Sequence, residues 1–472
     1  MNHRHCYSRR ELLKSSACGF ASLAVAGLCA DHAQAAPAFG AALPPMFAPR
    51  ARRVIFLFMG GGPSQVDTFD YKPELFRRDG QKIDFVGVRF IDFGQQTKQR
   101  LMQPLWDFQQ HGESGAWVST LFPHLSQHVD KICFLKGMHT EGQAHGPATL
   151  FLHTGATNLV RPSMGSWISY GLGTENSNLP AFVTIAPAPN NGGPRNYSSA
   201  FLPARHHGTA LGRCELPADE MRIKHLGRAD RSTQWQREQF EFLQELNRIQ
   251  RDQYTRNDQF DATLESFELA YRMQTNAPLL FDLADESEAT MARYGVDSKP
   301  TAQFGRQCLL ARRLAEAGVR YLQVNYTDST DNPRWDQHSN MAKHAEHARA
   351  VDQPVAALLA DLEERGLLDD TLVWWGGEFG RTPFSENNDG RGHNPRGFTV
   401  WLAGGGVRPG FQYGTTDEIG HEAVEDKVHM HDLHATILHL LGVDHERLTY
   451  RFAGRDFRLT DVHGRVVKEI LA

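Results

Sequence analysis

Six short apolar runs, separated by segments with helical spacing, dominate the hydrophobic pattern of the chain. They begin at Val54, Lys131, Ala181, Tyr321, Leu372 and Phe398. Their apolar character is nearly continuous instead of alternating, which is typical of strands covered on both faces. The pattern therefore predicts an α/β fold with a largely parallel sheet, in which the runs at Val54, Leu372 and Thr399 are interior strands.

Two segments near these runs predict helices that pack on the sheet. One begins around Val351 and Asp352, with Pro354 in its first turn. The other begins after Asp432, a suitable N-cap, and closes at Gly442. Residues 218–318 differ, because they are rich in Arg, Gln, Glu and Asp with apolar residues at helical spacing, and we interpret them as a helical insertion.

The N-terminus predicts an export signal instead of folded structure. Arg9 and Arg10 precede an apolar run over Ala17–Ala30, and small residues at Ala33 and Ala35 suit a cleavage site. The run is shorter than the roughly 20 residues that a bilayer-spanning helix needs. We therefore expect residues 1–35 to be a twin-arginine signal, residues 50–472 to form the folded domain, and the mature chain to be periplasmic or extracellular, without an integral membrane span.

Charge and cysteine content narrow the function classes. Residues 1–35 carry four Lys or Arg and two acids, so their removal takes the net charge from −5 to −7. This balance argues against nucleic-acid binding. Three cysteines remain (Cys133, Cys214 and Cys308), far apart and odd in number, so no disulfide framework is expected.

Several separated motifs carry a family resemblance. The stretch "VAALLADLEERGLLDDTLVWWGGEFG" and the later "HDLHATILHLLGV" resemble the alkaline-phosphatase and sulfatase superfamily. Together with "GGGPSQVDTFDYKPE", "RPSMGSWISYGLG", "WDQHSN" and "AGRDFRLTDVHG", they resemble the bacterial domain-of-unknown-function family 1501. The resemblance implies an alkaline-phosphatase-like three-layer sandwich with a mostly parallel central sheet, and a divalent metal cofactor, with zinc as the candidate.

The chain departs from that superfamily at two metal positions. "FMGGG" stands where a strand-end Asp is expected, with Asp67 nearby as a substitute, and the fifth run ends in Glu378 and Phe379 where Asp and His are expected. Glu378 could still ligate a metal, since it reaches one methylene further than Asp. The alternative is a buried ion pair between Glu378 and Arg381.

Four further residues complete the predicted metal group. Asp336 and His338 are two positions apart, so in an extended segment they could share one cation, although Asp336 could instead cap a helix. His393 and His431 supply imidazoles close to the last strand and the following helix. His434 and His439 are interpreted as structural or surface residues.

Two roles outside the metal group are also predicted. "MHTEGQAHG" weakly resembles the serine loop of cofactor-independent phosphoglycerate mutases, which would make Thr140 the nucleophile and His145 the histidine that follows it. Thr140 could equally be an N-cap. Arg381 and Arg396 are predicted to bind the anionic oxygens of an ester.

These observations support two hypotheses. The first is an exported metal-dependent hydrolase of sulfate or phosphate esters, built around Asp336, His338, Glu378, His393 and His431. The second is a non-catalytic envelope protein for binding or assembly, which kept the fold and lost the two-metal site.

Replacing Arg9 and Arg10 together by lysine should leave the precursor in the cytoplasm, because the paired arginines are what the twin-arginine translocon reads. Cell fractionation and blotting would measure this. Normal periplasmic appearance of the double variant would contradict the assignment.

Overall fold

The computed structural model describes residues 42–84, 98–217, 220–223, 232–253 and 258–472. The predicted export signal lies outside these residues. The described helices are α1 (Gln65–Thr68), α2 (Pro73–Arg77), α3 (His145–Thr154), α4 (Met164–Leu172), α5 (Thr233–Gln253), α6 (Asp258–Phe281), α7 (Glu288–Arg293), α8 (Ala302–Glu316), α9 (His344–Glu364) and α10 (Met430–Leu440).

Nineteen strands are described. They are β1 (Arg53–Met59), β2 (Lys82–Asp84), β3 (Lys98–Arg100), β4 (Phe108–His111), β5 (Ala116–Ser119), β6 (Ile132–His139), β7 (Phe182–Ile185), β8 (Thr209–Leu211), β9 (Tyr321–Tyr326), β10 (Thr371–Gly376), β11 (Gly380–Glu386), β12 (Gly390–Asn394), β13 (Phe398–Ala403), β14 (Gln412–Tyr413), β15 (Thr415–Thr416), β16 (Ala423–Glu425), β17 (Val428–His429), β18 (Tyr450–Phe452) and β19 (Arg455–Phe457).

Within the described residues the central sheet has nine strands, eight of them in the order β14-β6-β13-β10-β1-β9-β7-β8, and the ninth, β17, pairs with β6. Its pairings are parallel except those of β13, which runs antiparallel to both β10 and β6. The prediction of an α/β fold with a mostly parallel central sheet is confirmed, and the three runs predicted as interior strands are interior. The chain reverses direction at β13 because only a short connection through β11 and β12 separates it from β10.

Helices cover both faces of this sheet. Side chains of β1 alternate between two hydrophobic cores, with Ile55 and Leu57 on the face covered by α8 and α9, and Val54 and Phe56 on the face covered by α3, α4 and α10. Trp374 and Trp375 are both 1% exposed and lie in opposite cores, as expected for neighbours on a strand covered on both sides.

Both predicted helix starts were wrong. Helix α9 begins at His344, so Pro354 lies inside the helix, and Asp352 instead accepts hydrogen bonds from the backbone N–H groups of His124 and Leu125. The earlier start follows from the alanine-rich residues before Val351, which favour a helix strongly enough to tolerate the one backbone bond that proline removes.

Helix α10 begins at Met430, with His429 as its N-cap. Asp432 is the third residue of a capping box, and its carboxylate accepts the N–H of His429 at 3.0 Å. An acid at this position accepts the N–H of the N-cap residue, whereas an acid at the cap accepts N–H groups of the first turn. Acids in both positions are typical of a helix start, which is why the sequence suggested a start three residues late.

Four of the described helices lie between β8 and β9, within the range predicted as an insertion. Of these, α8 contributes Cys308, Leu309 and Leu314 to the main core, whereas α5 exposes several apolar side chains. The boundaries 218–318 as a separate unit stay a prediction.

His153 on α3 makes stability sensitive to acid. It packs against the rings of Phe56 and Phe58, and burial lowers its pKa from 6.5 to about 3. Between these two pH values His153 is protonated in the unfolded chain but neutral in the folded chain. Its contribution to the free energy of unfolding is therefore complete above pH 6.5 and is lost as the pH falls toward 3.

Replacing His153 with Phe should make unfolding less dependent on pH between 7 and 4, by about 3 kcal/mol at pH 4. Denaturant unfolding of wild type and variant across this range would measure it. The exposed His463, changed to Phe, serves as the control. An unchanged pH dependence in the His153 variant would contradict the assignment.

Candidate metal centre

The candidate site lies at the carboxyl edge of the parallel strands, where ligands of open α/β sheets gather. Glu378 follows β10 directly, and Asp336 and His338 lie in the loop after β9. His145 is the first residue of α3, reached by a short loop from β6, and His393 lies on β12. The sheet thus brings together residues separated by up to 248 positions in sequence.

His145, Asp336, His338 and His393 form a group that could hold a metal ion, with one ligand atom from each within 4.8 Å of the others. The Nε2 atoms of His338 and His393 lie 3.1 and 3.2 Å from Asp336 Oδ1. His145 Nε2 lies 3.2 Å from Asp336 Oδ2. Three imidazoles and one carboxylate are a ligand set that zinc favours.

Each of the three histidines is oriented by a hydrogen bond from its other ring nitrogen, Nδ1. His145 Nδ1 donates to Glu378 Oε1 at 2.6 Å, and His338 Nδ1 donates to Glu386 Oε2 at 2.9 Å. His393 Nδ1 donates to the backbone carbonyl of Gln143 at 2.7 Å. Because these oxygens accept hydrogen bonds, each Nδ1 carries a proton, and the Nε2 atom of each ring faces Asp336 and is the atom available to a metal.

The convergent Nε2 atoms require protons or a metal cation between them. His338 Nε2 and His393 Nε2 are 2.9 Å apart, which two unprotonated nitrogens would not tolerate. His145 Nε2 and Asp336 Oδ2 are buried without a hydrogen-bond partner although they lie 3.2 Å apart. Ligands of a tetrahedral cation at zinc–nitrogen distances would be separated by roughly 3.3 Å. The residues present therefore fit a single metal ion.

Charges inside the group shift its pKa values in opposite directions. Burial works against the charged form of Asp336, but hydrogen bonds from the three histidines and the charge of Arg381 hold its pKa well below the usual range. The hydrogen bond to Asp336 raises the pKa of His338 to about 9. Burial lowers the pKa of His393 to about 4. Without a metal, the proton between these two rings therefore resides on His338.

Arg381 neutralises Asp336 through Oδ1, the same carboxylate oxygen that His338 and His393 contact. Its Nη2 lies 2.7 Å from Asp336 Oδ1, and its other bonds reach the carbonyls of Gly61, Gly62 and Arg391. Arg381 is fully buried. The pair that the sequence suggested as an alternative, Glu378 with Arg381, is therefore replaced by Asp336 with Arg381.

The glycine turn after β1 supports both charged groups. The N–H of Gly61 donates to both oxygens of Glu378, at 3.0 and 3.2 Å. Gly61 has φ +107°, and a Cβ there would lie 2.6 Å from the backbone nitrogen of Asp336. "FMGGG" thus binds a carboxylate supplied by β10 where the superfamily pattern has an acid of its own.

Aromatic packing closes one side of the group. The Phe379 ring is stacked on His393 with a centroid distance of 4.4 Å and lies 5.1 Å from the His145 ring. A side chain that cannot ligate thus takes up space beside two of the candidate ligands. This packing limits access of water to the group.

The structure brings together Asp336, His338 and His393, and it places Glu378 behind His145. His431 lies elsewhere, on α10, where its Nε2 contacts the carbonyl of Gly155 at 3.1 Å. His434 is buried and its Nε2 donates to the carbonyl of Leu152, in agreement with a structural role.

The other residues predicted for the site make different contacts. Arg396 is ion-paired with Glu422 at 2.7 Å on the surface. The buried Asp67 pairs with Arg391 at 2.7 Å. Thr140 donates its backbone N–H to the carbonyl of Pro395, and its hydroxyl is buried without a hydrogen-bond partner. The catalytic and substrate-binding roles stay predictions.

Sequence reasoning did not assign His145 to the metal group, nor Glu386 and Gln143 to its support. His145 was weighed only as a histidine following the nucleophile. The sequence feature that could have identified His145 is its position shortly after a buried strand, which is also the position of Glu378.

The fold and the site define an α/β protein with a candidate mononuclear metal centre at the edge of its sheet. The chain belongs to the family described as protein of unknown function DUF1501, whose model matches residues 51–471. No curated protein matches this chain. None of the described helices is long and apolar enough to cross a membrane.

Solved structures match most of the chain at low identity. The lipoteichoic acid synthase LtaP from Listeria monocytogenes is 11% identical over 88% of this chain and 76% of that one, with a TM-score of 0.35. The sulfatase PsFucS1 from Pseudoalteromonas sp. is 12% identical over 84% and 68%, with a TM-score of 0.36. A magnesium-bound mutant of TAB5 alkaline phosphatase is 11% identical over 84% and 100%, with a TM-score of 0.35.

Replacing Glu378 with Gln should weaken metal binding by about 10–100-fold while the protein stays folded. The amide oxygen can still accept the Gly61 N–H, which turns the NH₂ group toward His145 Nδ1. His145 must then carry its proton on Nε2, where it cannot ligate. Arg381 keeps Asp336 as its partner, so no buried arginine is left unpaired.

Metal titration and thermal unfolding of the Glu378→Gln variant would measure both effects. Glu422→Gln, which removes the charge of an exposed ion-paired glutamate, is the matched control. Undiminished metal affinity of Glu378→Gln would show that this carboxylate does not orient His145.

Proposed function

We propose that this protein is an exported, zinc-dependent hydrolase of sulfate or phosphate esters. The observation that carries the proposal is the convergence of three Nε2 atoms on Asp336, with every Nδ1 held by an oxygen acceptor. This arrangement needs protons or a cation between the rings, and it is a common way of orienting metal ligands. Export is proposed from the paired arginines at the N-terminus.

A zinc ion bound here would polarise an ester oxygen and lower the pKa of a bound water. The chain's own residues prepare the site for this. Glu378 and Glu386 fix the tautomers of His145 and His338, while Arg381 keeps Asp336 ionised. Phe379 covers one side and keeps bulk water from the rings.

Thr140 is the proposed nucleophile. Its loop is tied to the metal group at two points, through the bond of Gln143 to His393 and that of Thr140 to Pro395, two residues further along. Its buried hydroxyl has no hydrogen-bond partner, so it is not committed to a structural bond. A hydroxyl beside a metal-activated ester is a suitable attacking group.

The second candidate function is metal binding without catalysis. Arg381 and Arg396 are the two residues predicted to bind an anionic ester. This alternative is favoured because both guanidinium groups already bind groups of the protein itself. Under this alternative the metal group would be a structural or binding element of an envelope protein.

Protein purified after export, without chelator, should contain about one zinc per chain and hydrolyse p-nitrophenyl sulfate or p-nitrophenyl phosphate. His338→Gln, which alters the most exposed of the candidate ligands, should lower kcat/KM by at least 100-fold and reduce the bound metal. Metal analysis and a chromogenic assay would measure these quantities.

Glu364→Gln, which removes the charge of an exposed glutamate ion-paired with Arg293, controls for surface charge in the same assays. Stoichiometric metal with no hydrolysis of either ester would favour the binding alternative. A wild-type protein without stoichiometric metal would defeat the hydrolase proposal.

A further inference from the structure

A small cavity lies at the same edge of the sheet as the metal centre, at the carboxyl ends of β1, β7 and β9. Phe58 of β1, Pro187 after β7 and Gln323 of β9 are among the residues that line it. Glu378 lines it as well, so the cavity and the support of the metal centre share this carboxylate. The cavity has a volume of about 20 Å³, which is sufficient for one polar group of the size of a water molecule.

Polar side chains replace apolar ones where β9 passes the cavity. Tyr321 packs in the core on the face covered by α3, α4 and α10, and Gln323 and Asn325 follow on the same face at intervals of two residues. Their side chains are buried, with exposed fractions of 2% and 4%. Because amides are costly to bury unless their polar atoms are paired, these two residues on an interior strand indicate a role beyond packing.

The hydrogen bonds of β9 fix the orientation of the Gln323 amide. Asn325 Nδ2 donates to the backbone carbonyl of Ile185 at 2.6 Å, so Asn325 Oδ1 is the acceptor, and Gln323 Nε2 donates to it at 2.7 Å. Gln323 Oε1 is therefore the remaining atom, and it is buried without a hydrogen-bond partner among the described residues. A donor from a bound molecule would satisfy this oxygen.

Asn196 brings a second acceptor to the cavity. Its side chain is 8% exposed and lines the cavity. Its Nδ2 donates to the backbone carbonyl of Asn191 at 3.0 Å, and its Oδ1 is buried with no partner in the described parts of the chain. Together with the Glu378 carboxylate, the two amide oxygens fit a molecule that donates several hydrogen bonds.

The charges around the cavity favour a positive donor over a neutral one. Glu378 is 1% exposed, and a buried carboxylate attracts a cation more strongly than one in water. Residues 327–334, which line the cavity through Thr327 and Pro333, contain two acids, Asp328 and Asp331, and one base, Arg334. The balance of charge beside the cavity is therefore negative.

A primary ammonium group combines these properties. It has three N–H donors, one positive charge and no acceptor, and its nitrogen is close to a water molecule in size. Phe58, Pro187 and Pro333 supply apolar surface against which a short alkyl group can pack. A bare metal ion would make no use of that surface.

We infer that this cavity binds a small primary ammonium ion, held by Glu378, Gln323 and Asn196. The inference does not depend on the proposed hydrolysis, because it concerns a cavity that none of the four candidate metal ligands lines.

Isothermal titration calorimetry of the mature protein with methylammonium chloride tests the inference, and we expect saturable binding. Methanol lacks the charge, and tetramethylammonium lacks the N–H donors, so neither should bind measurably at the same concentrations. Potassium chloride at equal ionic strength should not bind either, because it cannot donate hydrogen bonds.

Gln323→Met should weaken methylammonium binding by at least tenfold, because it removes one acceptor of a charged donor. Zinc affinity of this variant should be unchanged, which separates an effect on the cavity from one on the metal centre. Gln307→Met is the matched control. Gln307 on α8 is also buried, with an Oε1 that is unpaired within the described residues, but it does not line the cavity.

Glu378→Gln, for which a folded protein is expected, provides a second variant should Gln323→Met fail to fold by circular dichroism. It should also weaken methylammonium binding by at least tenfold, because it removes the charge at the cavity. Absence of saturable methylammonium binding, or binding that is unchanged in the folded variants, would overturn the inference. Equal binding of methanol, tetramethylammonium or potassium would also overturn it, since the cavity would then not select a primary ammonium group.

Discussion

The site depends on one buried carboxylate, that of Asp336. Its side chain is 1% exposed and contacts His145, His338, His393 and Arg381 within 3.2 Å. An isolated ionised carboxylate would cost many kcal/mol at such a position, so this one is stable only because cationic and hydrogen-bonding groups surround it. Those groups come from the start of α3, the loop after β9, β11 and β12, so the carboxylate holds these four segments together.

The glycine turn after β1 supports the residues that surround this carboxylate. Arg381 reaches Asp336 while donating to the carbonyls of Gly61 and Gly62, and Gly61 donates its N–H to Glu378. A backbone without side chains can approach both charged groups at once. The missing strand-end acid and the shift from Asp to Glu at residue 378 are thus two parts of one arrangement, in which Glu378 acts through His145.

Much of the fold was readable from the sequence, because buried parallel strands have continuous apolar character that depends little on context. The helix starts could not be predicted correctly. Pro354 and Asp432 are residues that favour the start of a helix, but they are also tolerated at later positions within one. At the site, Asp336, His338, Glu378 and His393 could be found because they follow strands or lie in polar motifs near them. The support of His338 by Glu386 and of His393 by the Gln143 carbonyl depends on how the β11–β12 hairpin folds over the sheet edge, which local sequence does not determine. His431 was predicted as a ligand because it lies close to a strand and a helix that follow the other candidates in sequence. The structure places it away from the metal group.

The charges around Asp336 indicate what a metal would replace. Asp336, Glu378 and Glu386 contribute three negative charges, and Arg381 contributes one positive charge, which leaves two to be balanced. Burial opposes charge on His145, but hydrogen bonds with Asp336 and Glu378 raise its pKa, and the bond to Asp336 raises that of His338 to about 9. Protons on these two rings would make the metal-free site neutral. A divalent cation would supply the same two charges and displace both protons, so the fold needs no rearrangement between the two states. This equivalence would let the same four side chains converge as closely without a metal as with one.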